Sequence, residues 1–320
     1  MEHQSVHLFP KEAKTMKNMQ TEVKRNSLRA WLLATRPKTL TGAAVPVMIG
    51  LSAAYADACR MEMAETFSWT AAALCLLFAF VMQIDANLIN DFFDYVKGTD
   101  DTEQRMGPRR ACASGWVTLH AMKHAIALTT CLACIVGLPL IWYGGWEMVL
   151  VGLVCVVFCF LYTTHLSYLG LGDVLVLVFF GIVPVCVTYY IERHEVTAPV
   201  LLASIACGLV IDALLLVNNF RDRFTDREAG KMTLVVRIGE QASLGLYLLT
   251  GVVACAIGSV FLFTGQPLAF VLPLVYLVLH LFAWLKMKRV NRGKALNHCL
   301  GETARNIFIY GLALSLGLLL

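Results

Sequence analysis

The sequence predicts an all-α polytopic membrane protein with nine transmembrane helices, and three observations carry that expectation. The 320-residue chain is 58% hydrophobic and only 15% charged, with a mean hydropathy of +0.68, whereas soluble chains are nearer a quarter charged. Windows of about 18–22 residues almost free of charge recur along it, the length a helix needs to cross the hydrocarbon core. Strict apolar–polar alternation, the mark of membrane β-strands, is missing. Continuous helix is then the structure that satisfies every backbone group inside lipid.

Taken in order, residues 1–30 are polar and basic and hold no apolar stretch followed by a small-residue cleavage site. They are expected to form a cytoplasmic tail and not a signal peptide. One membrane domain, 31–320, follows without a soluble insertion. Its spans are expected at roughly 39–57, 71–93, 121–142, 146–165, 172–192, 199–219, 242–263, 267–285 and 304–320. Twenty-four of the 26 lysines and arginines fall in the tail and in the loops after spans two, six and eight; only Arg60 and Arg193 lie on the other side. The positive-inside rule therefore puts the N-terminus in the cytoplasm of a cell whose inner membrane holds the protein, and the C-terminus outside. The net charge of +4 reflects this orientation. It gives no support to nucleic-acid binding; the expected partner is the lipid bilayer, with no obligate protein partner. Eleven cysteines are scattered mostly through the spans, as expected of small apolar side chains and not of zinc ligands or disulfides.

Two acidic clusters break the apolar pattern. Asn87, Asn90, Asp91 and Asp94 end span two. Spacings of three and four put all four side chains on one broad helix face. Asn218, Asn219, Asp222 and Asp226 end span six. Asp91 and Asp222 are 131 residues apart; four spans lie between them, which returns the chain to the same face, as duplication of a four-helix unit would. Hard oxygen donors in this number suit Mg²⁺, which fills its shell with water and substrate phosphate. The cations that follow, Arg109, Arg110, Lys231 and Arg227, suit phosphate directly. Helix capping and loop ion pairs are the bland alternative. Acids at membrane depth in two matched clusters favour a magnesium–diphosphate site.

At these residues the sequence resembles the UbiA superfamily of intramembrane aromatic prenyltransferases. The resemblance covers nearly the whole chain after the tail and rests on NLINDFFDYVKGTDD (Asn87–Asp101) and NNFRDRFTDREAGKMTLVVRIG (Asn218–Gly239). Three details look like the 1,4-dihydroxy-2-naphthoate polyprenyltransferases, the MenA type. These are Arg36-Pro37-Lys38-Thr39-Leu40, Gly107-Pro108-Arg109-Arg110, and the run from Arg221-Asp222 to Gly230-Lys231.

What the resemblance implies is a UbiA-like nine-helix bundle around a central cavity open to lipid. A polyprenyl diphosphate would lie there with its diphosphate at the acidic clusters. An aromatic acid acceptor attacks the allylic cation left by pyrophosphate, and CO₂ is lost. Asp91, Asp94, Asp222 and Asp226 are then the catalytic metal-site acids, holding Mg²⁺ through the diphosphate. Asn87, Asn90, Asn219, Arg109, Arg110 and Lys231 bind the diphosphate, and Asp100 is a further loop acid. Arg36 and Lys38 either hold the acceptor carboxylate or simply anchor the helix at the interface. Tyr162 either faces the cation with its ring or joins the interfacial aromatic belt. Asp85 and Asp212 sit deep in spans two and six, where small or apolar residues are expected.

Other acceptors, such as 4-hydroxybenzoate, remain the runner-up within this class. A secondary transporter is the alternative from another class, and it would place its acids near the bilayer midplane on interrupted helices.

Overall fold

A computed structural model describes residues 23–98 and 106–320; residues 1–22 and Asp100 lie outside the described residues. Helix α1 (Leu28–Thr35) starts at Ser27, whose hydroxyl accepts the Ala30 N–H. It stops at Arg36, which turns into the left-handed region with φ 51°, and the Pro37–Thr39 turn leads into α2 (Leu40–Arg60). Then come α3 (Trp69–Val96), α4 (Leu119–Gly144), α5 (Glu147–Leu166), α6 (Gly172–Arg193) and α7 (Ala198–Glu228). The chain ends with α8 (Leu234–Phe263), α9 (Pro267–Val290) and α10 (Leu296–Leu319). Side-chain caps from Ser68, Thr118 and Thr233 open α3, α4 and α8, each satisfying a backbone donor that a helix start leaves free.

Nine spans are expected from the sequence, but eight helical segments among the described residues are long and apolar enough to cross a membrane. In the first of them, α1 and α2 together make up Leu28–Arg60. The shortfall is α10. Its 24 residues are ample in length, but Glu302, Arg305 and Asn306 lie in its first half and lower its apolarity. This helix is bound by packing, with twelve buried residues, and not by apolar composition alone.

The core forms around α2. Val45, Ile49 and Ala53 of α2 pack with Val185 and Tyr189 of α6, Val210 of α7, and Tyr310 and Leu314 of α10. Close approach there depends on missing side chains. A Cβ on Gly181 of α6 would lie 2.6 Å from the Gly208 Cα of α7, so the two backbones touch where α6 widens into π-type turns at Leu177–Ile182. Helix α5 is the opposite case. Of its Glu147–Leu161 stretch only Met148 is buried; Leu150 and Val157 point outward, exposed, while Gly152, Cys155 and Val156 face an internal cavity. Asp85 is fully buried and is satisfied by the Thr129 and Thr130 hydroxyls of α4, which makes it an α3–α4 clamp.

Helices α3 and α7, with 28 and 31 residues, run to roughly 42 and 46 Å. Both exceed the hydrocarbon thickness of about 30 Å, so their last turns carry polar residues past the apolar layer and fix the site at one end of the bundle.

Gly181→Ala is expected to destabilise the protein by about 1–3 kcal/mol through forced separation of α6 and α7. Thermal unfolding in detergent checks this, with Gly245→Ala as control, since a Cβ there meets nothing within 4 Å.

Candidate active site

A cavity of about 1160 Å³ opens between α1–α7 and α10. Its depth is apolar, with Phe78, Met82, Val156, Phe179 and Leu214 on the walls. Its polar end gathers Asn87, Asn90 and Asp94 from α3, Arg109 and Arg110 from the loop after α3, and Asn218, Asn219 and Arg221 from α7, with Lys231 beside them. Arg36 and Lys38 line it from the α1–α2 junction, and Tyr162 and Asp173 from α5 and α6. An apolar chamber with charge confined to one end suits a ligand with a lipid body and an anionic head.

The α3 cluster divides its labour. Asn90 accepts a hydrogen bond from the Thr163 hydroxyl of α5. Asn87 donates to the Thr35 carbonyl at 3.0 Å and to the Thr39 hydroxyl at 2.8 Å, tying α1 and its following turn to α3. Asp94 meets the Arg110 guanidinium at 3.2 Å. Asp91 differs from what the sequence leads one to expect. It is 2% exposed, it does not line the cavity, and its two oxygens accept the backbone N–H groups of Ala111 and Cys112 at 2.8 and 2.9 Å. In this geometry both Asp91 oxygens are committed to the loop backbone and not to the cavity. Its carboxylate holds the loop that carries Arg109 and Arg110. Burial, with Asp91 alongside, pushes the Cys112 thiol up in pKa, so this cysteine stays a neutral packing group; all eleven cysteines are free thiols.

In the α7 cluster, Arg221 is the hub. It is 2% exposed, pairs through Nε at 2.7 Å and through Nη2 with the Asp222 carboxylate, and donates to Asn218 and Asn297 at 2.8 and 2.9 Å. Asn297 in turn donates to the Met106 carbonyl. A Cβ on Gly107 would fall 2.8 Å from Arg221 Nη2, so glycine is what lets the loop lie flat on the guanidinium. Asp222 and Asp226 stand just behind the cavity lining, their side chains 22% and 14% exposed. Asp226 Oδ1 lies 3.6 Å from Lys231 Nζ. Its Oδ2 is buried with no partner, and the Asp94 and Asp222 carboxylates both lie close enough to repel it. Among the described residues no three acids stand close enough to ligate one metal ion directly. The buried Asp226 oxygen, with Asp94 and Asp222 in electrostatic reach, suits a hard cation that fills most of its shell with water and a ligand's phosphate oxygens.

Residues 43–310 match the UbiA prenyltransferase family. The chain belongs to this family. It is 37% identical over 229 residues to the 1,4-dihydroxy-2-naphthoate octaprenyltransferase of Escherichia coli (strain K12), a match covering 69% of this chain and 72% of that one. With the Mycobacterium leprae enzyme of the same name it shares 31% over 259 residues, 76% of this chain and 84% of the other. Among solved structures, a UbiA homolog from Archaeoglobus fulgidus bound to GPP and Mg²⁺ has a TM-score of 0.62 at 12% identity. That alignment covers 89% of this chain and 99% of the other. A digeranylgeranylglyceryl phosphate synthase structure has a TM-score of 0.59 at 18% identity, over 91% and 98% of the two chains. Like other members of the UbiA family, the chain is an integral membrane protein.

Several groups escaped the sequence reading. Lys97 reaches the Thr163 and Thr164 carbonyls and lies 4.2 Å over the Tyr168 ring, while Arg237 bonds the Leu169 and Met232 carbonyls. Together they clamp the 162–171 segment, which leaves regular helix through a π-type turn at Tyr162–Leu166. Arg221 and Asn218 were legible as polar residues of the second motif, whereas Asn297 was not singled out, and their joint hydrogen bonding needs α10 folded back beside α7. Asp212 is 6% exposed on α7 and faces Asp173 electrostatically.

Asp91→Asn replaces one acceptor oxygen with an amide donor, leaving a backbone N–H unmet at a cost of about 1–3 kcal/mol. The loop is expected to loosen, so trypsin cleaves after Arg109 and Arg110 several-fold faster than in wild type. Mass mapping of the fragments checks this; an unchanged cleavage rate at these two sites counts against the clamp.

Proposed function

We propose that this protein transfers a polyprenyl group from polyprenyl diphosphate to 1,4-dihydroxy-2-naphthoate, releasing pyrophosphate and CO₂ as a step of menaquinone formation. The observation that carries the reading is the cavity, whose apolar depth ends at Asp94, Arg109, Arg110 and Lys231, with the Asp222 and Asp226 carboxylates just behind. The acceptor follows from the relatives that share this chain's length and act, by name, on dihydroxynaphthoate.

The residues divide the work. Arg109, Arg110 and Lys231 bind the diphosphate oxygens, and Asn219 adds a polar contact. Asp94, Asp222 and Asp226 would hold magnesium through the diphosphate, and the metal would supply charge stabilisation to the leaving group. The apolar walls hold the prenyl tail and keep water from the allylic cation. Tyr162 turns its ring toward that cation at the junction of wall and mouth. Arg36 and Lys38 attract the acceptor carboxylate to the same end. Asp91 contributes by placing the loop arginines, and Asn87 by fixing the α1–α2 junction that carries Arg36 and Lys38. With 24 of 26 basic residues in the tail and three loops, this end faces the cytoplasm, and the membrane is the inner membrane of the cell. The acids stand at helix ends and not on interrupted helices at the midplane, which argues against a transporter.

Purified protein given a polyprenyl diphosphate, magnesium and each aromatic acid separately is expected to prenylate dihydroxynaphthoate, read by mass spectrometry of the product. Turnover of 4-hydroxybenzoate but not dihydroxynaphthoate would overturn the acceptor assignment.

Asp226→Asn is expected to lower kcat by about 100-fold or more and to raise the magnesium concentration for half-activity. Asp91→Asn leaves that magnesium midpoint in place while raising KM for the diphosphate. Magnesium titrations of the two variants distinguish metal site from loop clamp.

A further inference from the structure

The acids near the cavity mouth are matched almost without exception. Asp91 has two backbone donors, Asp222 an arginine, Asp94 an arginine, and Asp226 a lysine on one oxygen, its other oxygen being without a partner. Asp85, deeper on α3, has two threonines. Asp173 does not follow the pattern. It opens α6 on the cavity wall, keeps 9% of its surface exposed, and apart from its own backbone N–H nothing donates to either oxygen. Facing it from α7, Asp212 also leaves Oδ1 without a partner. Neither acid belongs to the two motif clusters, and among the described residues no cation pairs with them as Lys231 pairs with Asp226. Burying such acceptors without donors costs free energy, so a donor from outside the protein is the natural complement.

The surroundings say what kind of donor. Tyr162 is in electrostatic reach of Asp173, Asp212, Asp94 and Arg110, so the pair lies between the apolar walls and the polar mouth. A Cβ on the neighbouring Gly172 would meet Leu215 at 3.4 Å and the Tyr162 hydroxyl at 3.8 Å, so the glycine leaves room for about one carbon beside the phenol. Phe158 and Phe179, ring centroids 5.0 Å apart, line the same cavity. Apolar, partly aromatic walls beside two closely placed carboxyl groups, which accept hydrogen bonds in either protonation state, fit an aromatic ring carrying hydroxyls. A substrate carboxylate is drawn instead toward the cations Arg110, Arg36 and Lys38 that line the same cavity.

We propose that Asp173, with Asp212 beside it, accepts a hydrogen bond from a ring hydroxyl of the aromatic acceptor and so fixes the ring with its carboxylate toward the cationic mouth. This deepens the reading of the protein as a dihydroxynaphthoate prenyltransferase and rests on it. Asp173 is then an acceptor-specificity residue, separate from the diphosphate site. The hydrogen bond selects hydroxylated rings because an analogue without the hydroxyl leaves the carboxylates as bare as they stand in the protein alone.

The test compares wild type, Asp173→Asn and Asp212→Asn at saturating polyprenyl diphosphate, with 1,4-dihydroxy-2-naphthoate and with the two monohydroxy-2-naphthoates that each lack one ring hydroxyl. Asp173→Asn is expected to raise KM for dihydroxynaphthoate about tenfold or more, to leave KM for the diphosphate unchanged, and to have little effect on the analogue missing the contacted hydroxyl. Asp212→Asn is expected to shift the acceptor KM in the same direction by less. Equal effects on all three acceptors, or a raised KM for the diphosphate, overturn the proposal. Should Asp173→Asn fail to fold, an unchanged acceptor KM in Asp212→Asn overturns it instead. If wild type prefers another hydroxylated aromatic acid, the dihydroxynaphthoate reading falls, and the same KM comparison on that acid decides the role of Asp173.

Discussion

The constraint behind this structure is that ionised groups have to be held at the end of an apolar chamber inside a bilayer. Water is scarce there, and an unmatched charge is expensive. The fold meets the constraint by running α3 and α7 beyond the hydrocarbon thickness and seating the acids in their last turns. Arg221 shows the solution at its densest. It is almost fully buried, yet its guanidinium is spent on Asp222, Asn218 and Asn297, with Gly107 stacked close upon it. Removing one partner of such a pair leaves a buried charge exposed to nothing, a loss of about 3–5 kcal/mol. The loop, α7 and α10 are therefore one electrostatic unit, and the cavity mouth keeps its shape because that unit does.

Much of this was legible in the residues. Helix class, the apolar spans and the pairing of the two acidic clusters follow from hydropathy and spacing, and Asn90, Asp94, Arg109, Arg110, Asn219 and Lys231 do gather at one mouth. Spacing alone does not tell which way an acid on that face turns. Asp91 and Asp94 are one turn apart; Asp94 looks into the cavity while Asp91 looks back at the loop amides. Only the path of residues 106–112, a tertiary fact, separates them. Asp85 was legible as an anomaly but not as a clamp, because its threonines lie 44 and 45 positions away. The span count failed at α10 for a related reason. Its polar first half is paid for by burial among neighbours that a linear window does not see.

Two kinds of irregularity mark the functional side of the bundle. The π-type widenings at Tyr162–Leu166 and Leu177–Ile182 flank the segment bearing Tyr162 and Asp173, and such bulges redirect side chains at little cost. Lys97 and Arg237 hold that segment through its carbonyls, so cations serve the backbone here and phosphate at the mouth. The widening at Leu177–Ile182 is also where Gly181 and Gly208 let the α6 and α7 backbones touch, a close contact that helps hold the frame that a positioned cation-forming reaction requires.

Helix α5 carries a consequence of its own. With Met148 alone buried along Glu147–Leu161, it turns Leu150 and Val157 outward and Gly152, Cys155 and Val156 to the cavity. An element with so few internal contacts opens at small free-energy cost. The bilayer thus doubles as the fourth wall of the reaction vessel. A substrate tail longer than the chamber need not coil to fit; it can trail between α5 and its neighbours into the membrane that delivered it.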